Sequence, residues 1–209
     1  MANKSEVEAI LKLFRTKSSN QALKTAFREL FPRKKIEIHH MLVMFFSLTI
    51  SICLKNSNVT FTTFIDIVES LNAIILALFG IVFTGYALFQ ALIDNNMLER
   101  MLIVKGEKTT VQISNEYFLN VMLLDIFCII LNTGLLLLLK VFPIGLLNYG
   151  NLTVAIISTI ALFCLYFTIQ ILVIWEMKSF VFNIFQFFNI SAGSKAGEIL
   201  KRNKNNEQK

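Results

Sequence analysis

Charged residues are scarce in this sequence. Asp, Glu, Lys and Arg make up only 16% of it, whereas a soluble domain carries about 25%. Proline occurs only twice in 209 residues. The charge deficit means that long stretches of the chain face something other than water. The scarcity of proline favours long uninterrupted helices over a loop-rich fold.

Patterns that carry catalysis or bind metals are also missing. The sequence has no Gly-rich phosphate loop and no serine-elbow motif. The only histidines, His39 and His40, are adjacent, and neighbouring helix positions point about 100° apart, so the pair cannot clamp one metal ion. We interpret it as interfacial polar residues, with pH sensing as the alternative. We therefore expect no enzymatic activity, no catalytic residues, no metal and no cofactor.

The cysteines and the basic residues exclude two further classes. Cys53, Cys128 and Cys164 lie inside apolar runs and lack the spacing of a metal site or of a secreted disulfide framework. The net charge is +6, but the basic residues cluster beside apolar runs and do not form a stripe with interleaved aromatic residues. We therefore expect no nucleic-acid partner.

Four apolar runs are long enough to cross a lipid bilayer, which takes about 20 residues. The predicted spans cover about residues 36–54, 71–93, 117–139 and 153–175, with a loop at 94–116. The first run reaches this length only by including Ile36 to His40. The sequence thus predicts an all-α polytopic membrane protein with a four-helix transmembrane domain at residues 36–175.

Residues 1–35 form a short amphipathic helical head. Ser5 with Glu8, and Ser18 with Gln21, are capping boxes, each followed by an apolar stripe, and Pro32 ends the second stripe. Such helices can lie on an anionic membrane surface, or they can pack on each other or on the bundle. The basic residues that suit the first alternative are Arg15, Lys24, Arg28, Arg33, Lys34 and Lys35.

Residues 176–209 follow the fourth span. Met177, Phe180 and Ile184 continue a helical stripe and predict an interfacial helix, and the polar residues from Ser191 onward predict a loose basic tail. The head, the loop at 94–116 and the tail hold 18 of the 20 Lys and Arg residues. Because cytoplasmic segments retain basic residues, both termini are predicted to be cytoplasmic, at a bacterial inner membrane.

Asp125 is the one acid well inside an apolar run. It lies roughly 12 Å from the cytoplasmic end of its span, where an ionised carboxylate costs at least about 2.5 kcal/mol, so it must be protonated, paired or wetted. Cys128 and Asn132 share its helix face. Two interpretations remain open: a pore or sensor face, or an interhelical hydrogen-bond cluster completed by Gln170 or Thr168.

Span two carries a stripe of small residues at spacings of four and three. Small residues let helix backbones approach closely in lipid, where no hydrophobic drive joins helices. The pattern does not tell whether the partner helix belongs to the same chain or to another subunit. This stripe, the small-residue seam, consists of Ala73, Ala77, Gly80, Thr84, Ala87 and Ala91.

Two functional hypotheses follow. The first is a homo-oligomeric channel or membrane-perturbing effector, which requires Asp125 to contact water and to face the axis between subunits. The second is a membrane-anchored sensor or scaffold that recruits a cytoplasmic protein partner. It requires only that the buried carboxyl group of Asp125 has a compensating partner. In span count and topology the chain resembles small membrane components of bacterial anti-phage systems, such as the four-span subunit of Kiwa, and the resemblance implies a role in antiviral defence.

Overall fold

The computed structural model describes residues 18–31, 38–56, 61–102, 104–105, 108–141 and 152–207. The predicted helix that begins at Ser5, and the basic residues Arg15, Arg33, Lys34 and Lys35, lie outside them. The elements are α1 (Ser19–Leu30), α2 (Ile38–Asn56), α3 (Phe61–Leu92), α4 (Asn95–Met101), β1 (Val104–Lys105), β2 (Lys108–Thr109), α5 (Thr110–Val141) and α6 (Leu152–Glu207).

Four of these helices, α2, α3, α5 and α6, are long and apolar enough to cross a membrane. The prediction of an all-α protein with four such helices is therefore confirmed. The helices extend beyond the apolar runs: α3 and α5 each have 32 residues, about 48 Å at 1.5 Å per residue. A hydrocarbon core is only about 30 Å thick, so these helices reach past it.

The capping box at Ser18 starts α1 as predicted. The Ser18 hydroxyl accepts from the Gln21 N–H (3.3 Å), and the Gln21 side chain accepts from the Ser18 N–H (3.3 Å). The buried side of α1 packs on α5, where the Phe27 and Phe127 rings meet edge to face at 4.8 Å. This described helix of the head therefore packs on the bundle, and Lys24 and Arg28 are exposed on its other side.

The buried side of α3 shows how the long helices associate. Val68, Ile75, Val82 and Phe89 are all fully buried and recur every seven residues, the spacing of coiled-coil packing. The main neighbour of α3 is α5, and α2 packs along α6, which also contacts α3. Near one end of α3 Phe64 stacks on Phe163 of α6, and near the other end Phe89 meets Phe187. Helices α3 and α6 therefore run parallel.

Helix α2 begins opposite the middle of its neighbours. The His39 ring stacks on Trp175 of α6 with centroids 6.0 Å apart. Trp175 precedes Phe187 by about twelve residues, or roughly 18 Å along the helix. Helix α1 lies on α5 at this level, close to the start of α2. We call the end of the bundle that carries α1, α4 and the β1–β2 hairpin the α1 end.

The chain after the fourth predicted span does not form a loose tail. Helix α6 continues without a break to Glu207, 56 residues in all, so the expectation of an irregular segment from Ser191 is wrong. Two physical reasons account for the difference. Met177, Phe180 and Ile184 pack on α3, α4 and α5, and the residues beyond them include good helix formers such as Ala, Glu, Leu and Lys.

Candidate functional site

Two of the predicted polar residues meet inside the bundle. Asn132 of α5 and Gln170 of α6 are fully buried, and the Gln170 amide nitrogen donates to Asn132 Oδ1 at 2.9 Å. The Tyr166 hydroxyl donates to the same oxygen at 3.0 Å. Of the interhelical cluster considered for Asp125, Cys128 and Asn132, the structure contains the contact between Asn132 and Gln170. Tyr166 was not predicted, although it lies one turn before Gln170 on the same apolar helix.

Asp125 has a different environment. It is fully buried, and neither carboxylate oxygen has a hydrogen-bond partner in the described part of the chain. Cys128, one turn along α5, is also fully buried. Thr168, one of the two expected partners, has an unbonded hydroxyl, and Gln170 bonds Asn132 instead. Asp125 therefore has no hydrogen-bond partner among the described residues.

Helix α1 packs over the stretch of α5 that contains Asp125. Ala26 and Leu30 pack in one apolar cluster with Leu124 and Cys128. About one turn before Leu124 on α5, the Asn120 amide donates to Glu29 Oε2 at 2.6 Å. Apolar burial and a charge-assisted hydrogen bond thus both attach α1 to α5.

A cavity of about 320 Å³ lies where α1, α2 and α6 meet. It is open to the surface, and a second cavity of about 100 Å³ next to it reaches Tyr117 and Asn120 on α5. We call the larger one the junction cavity. Its polar and aromatic lining residues are Glu29, His39, His40, Trp175, Glu176, Lys178 and Ser179.

The junction cavity contains residues that the sequence did not single out. Glu176 accepts a hydrogen bond from the Tyr117 hydroxyl at 3.2 Å, and the Lys178 ammonium lies 5.2 Å from the centre of the Trp175 ring. The sequence feature that could have identified Glu176 was its position directly after an apolar run. Glu29 and Asn120 could not be paired from the sequence, because they lie far apart in the chain.

The histidine pair links α1 to α2. His40 Nε2 donates to the carbonyl oxygen of Leu30 at 3.0 Å, which bonds one of the last carbonyls of α1. Because a carbonyl oxygen only accepts, Nε2 must carry the proton. His40 Nδ1 is buried and has no bonding partner among the residues described. Within the described ranges no group of three or more His, Cys, Asp and Glu could hold a metal ion.

The small-residue seam lies on the outer surface of α3. All six of its residues are exposed, and a Cβ added at Gly80 would meet nothing within 4 Å. In the described part of the chain the seam therefore contacts no other helix closely. The glycine in close contact is Gly85, where an added Cβ would overlap the ring of Phe180.

The chain was also compared with known proteins. Comparison with protein-family models, with curated proteins and with solved structures finds no match.

Proposed function

We propose that this chain is a membrane-anchored sensor or scaffold, in which α1 and the projecting part of α6 connect the bundle to a cytoplasmic protein partner. The observation that supports this function is the position of Asp125. It is fully enclosed in a stretch of α5 that α1 covers, and no described residue bonds it. A buried ionisable group at membrane depth is a functional feature by default, because it costs stability.

The direction in which the polar residues face supports a sensor over a pore between copies. Asp125, Cys128, Asn132 and Gln170 all lie inside the bundle of a single chain. A channel formed around an axis between subunits would be lined by outward-facing residues. These four side chains would not reach such an axis without a rearrangement of the helices.

In this proposal the α1 end lies in the cytoplasm, at a bacterial inner membrane. Support comes from the head, the loop at 94–116 and the tail, which hold 18 of the 20 basic residues, because cytoplasmic segments retain Lys and Arg. On the side of α6 that faces away from the bundle, Val181, Phe182, Phe185 and Phe188 are exposed, and this apolar side is available to a protein partner. We assign the chain no catalysed reaction, no cofactor and no nucleic-acid partner. The resemblance to anti-phage membrane components makes antiviral defence the setting in which to look for the partner.

The mechanism of sensing follows from the enclosure of Asp125. An ionised carboxylate without a partner is unfavourable in an apolar interior, whereas the neutral acid is tolerated. Loss of the proton therefore requires water to enter, and α1 covers this stretch of α5. Ionisation of Asp125 should release α1, so the docked arrangement should weaken as the pH rises.

The test measures the position of α1 directly. Spin labels are placed at the exposed positions Lys24 on α1 and Gln186 on α6, in a background without native cysteines, and distances are recorded in nanodiscs between pH 5 and 8. The wild-type chain should gain a long-distance population as the pH rises. Asp125→Asn keeps the shape of the side chain without its charge, so α1 should stay docked at every pH. Asp66→Asn, an exposed acid on α3, is the control and should behave as wild type.

Other ionisable side chains lie near Asp125, so the Asp125→Asn variant decides the assignment. If Asp125→Asn shows the same pH dependence as wild type, or if wild type shows none, the sensing mechanism is wrong. α3 contributes the apolar Ile75 to this region. The titratable side chains there are Glu29 on α1, His39 and His40 on α2, Tyr117 and Cys128 on α5, and Tyr166 and Glu176 on α6.

The homo-oligomeric channel or membrane-perturbing effector is the second candidate, because the small-residue seam is exposed along α3. A surface of this kind is typical of helices that associate in lipid. Ion flux into proteoliposomes separates the two functions. Flux through the wild-type chain that Asp125→Asn changes would favour the channel, whereas a chain that passes no ions favours the sensor.

A further inference from the structure

We propose that the junction cavity binds the ethanolamine headgroup of a phospholipid, with the primary ammonium held between Glu29 and Glu176. This inference does not rest on the proposed function. It follows from the charges that line the cavity, from the surface beside it and from its size.

The described residues that line the junction cavity include two carboxylates, those of Glu29 and Glu176, and one ammonium group, that of Lys178. Glu29 on α1 and Glu176 on α6 line both the junction cavity and the smaller cavity next to it. The hydrogen bonds described above come to them from Asn120 and Tyr117, which are neutral donors. Two carboxylates that share a site disfavour each other's charge. A ligand with a compact, hydrogen-bonding positive charge would relieve this repulsion.

The junction cavity also contains a basic side chain. Lys178 lies over the face of Trp175, and both line the junction cavity together with His39 and His40. The ammonium group of Lys178 is a donor suited to a phosphate oxygen. A cavity lined by two carboxylates and an ammonium group matches a ligand that carries an ammonium and a phosphate a few atoms apart, which is the pattern of phosphoethanolamine.

The surface beside the cavity indicates a lipid as the source of this headgroup. Helix α2 begins at the cavity, and its first turns expose Ile38 (78%), Met41 (62%) and Leu42 (61%). Such a strip beside a polar cavity is suited to acyl chains. Trp175 is the residue type that concentrates at the headgroup level of membranes. The cavity volume of about 320 Å³ lies at the lower end of the range for small-ligand pockets.

A bound headgroup would also join two elements. Glu29 belongs to α1 and Glu176 to α6, so an ammonium between them bridges the head helix and the fourth long helix. The ligand should therefore stabilise the folded chain against heat, because it binds the assembled cavity and not the separated helices.

The experiment uses the purified, delipidated full chain in detergent. Thermal unfolding and native mass spectrometry are recorded with phosphatidylethanolamine, phosphatidylcholine, phosphatidylglycerol and soluble phosphoethanolamine. Phosphatidylethanolamine should raise Tm and be retained at least tenfold better than the other two lipids, since neither offers a primary ammonium. Equal retention of phosphatidylglycerol would overturn the proposal. Soluble phosphoethanolamine that binds as tightly as the lipid would overturn the choice of a lipid source.

Three variants test whether the ligand binds in the junction cavity. Glu29→Gln and Glu176→Gln keep an oxygen that accepts from Asn120 or Tyr117, so the fold should persist. Each should weaken phosphatidylethanolamine binding about tenfold or more. Lys178→Gln should weaken it through the phosphate. The control is Glu69→Gln, which removes an exposed acid paired with Lys140 far from the cavity and should leave binding unchanged. Unchanged binding in both cavity-acid variants would refute the assignment, whatever the outcome of the spin-label test.

Discussion

Two glycines of α3 provide a matched test of the packing. Gly85 is buried, and a Cβ there would overlap Phe180 Cζ and lie 3.2 Å from Ile184 Cδ1. Gly80 has open space around its Cα. We predict that Gly85→Ala destabilises the chain and that Gly80→Ala does not, although both add the same methyl group to the same helix.

The magnitude follows from the difference between the two sites. Replacing a glycine inside a helix by alanine gains about 0.5–1 kcal/mol of helix propensity, and this gain is common to both variants. The added methyl at Gly85 must displace Phe180, which is 2% exposed and packs edge to face on Phe118. Overpacking of this kind costs about 1–3 kcal/mol, so the two variants should differ by that amount.

Thermal unfolding in detergent measures the difference. In a chain of this size 1 kcal/mol corresponds to roughly 2–4 °C in Tm, so Gly85→Ala should melt roughly 2–12 °C below Gly80→Ala. Phe180→Leu shortens the side chain that the methyl meets, and the double variant should lose less than the sum of the single changes. If Gly85→Ala is as stable as Gly80→Ala, the contact between α3 and α6 is wrong.

The existence of the elements could be predicted because local signals specify them. Apolar runs of spanning length gave the four long helices, and the side-chain pairing of Ser18 with Gln21 gave the start of α1. Asn132 and Gln170 could be named as candidates for an interhelical contact because amides inside apolar helices need partners, with Thr168 as the alternative to Gln170. Each of these inferences depends on a local physical requirement: the length needed to span a bilayer, the capping of a helix start, or a hydrogen-bond partner for a buried amide.

The sides on which the helices pack could not be predicted, for a reason specific to membranes. In water the apolar side of a helix is the buried side, but in lipid both sides are apolar. Small residues at Ala77 and Gly80 and large ones at Ile75 and Val82 therefore fit either surface. The structure buries the large residues and exposes the small ones, and hydropathy alone contains no signal that decides between these arrangements.

The junction cavity was missed because it depends on the relative level of helices. Glu29, His40 and Glu176 come from three elements, and they meet only because α2 begins opposite the middle of α6. The length of an apolar run fixes how far a helix can extend, but not which residue of a neighbour it starts against. Asp125, by contrast, could be singled out from its own span alone.

Two predictions remain, on topology and on the small-residue seam. Cysteine labelling from outside intact cells should reach positions in 57–63 and 148–151 only, and labelling at Lys108 would reverse the orientation. The seam prediction separates folding from assembly. Because Ala77 and Gly80 face away from the bundle, replacing either by Leu adds volume that no helix within the described ranges opposes. The Tm of the separated protomer should therefore hardly change. If copies of the chain associate through the seam, the larger side chain keeps their backbones apart, and light scattering in detergent should show a smaller particle for Gly80→Leu than for wild type. Phe83→Leu, on an exposed position outside the seam, is the control and should keep the wild-type size. An unchanged particle in Gly80→Leu means that the seam faces lipid, and the homo-oligomeric channel then loses the surface that favours it.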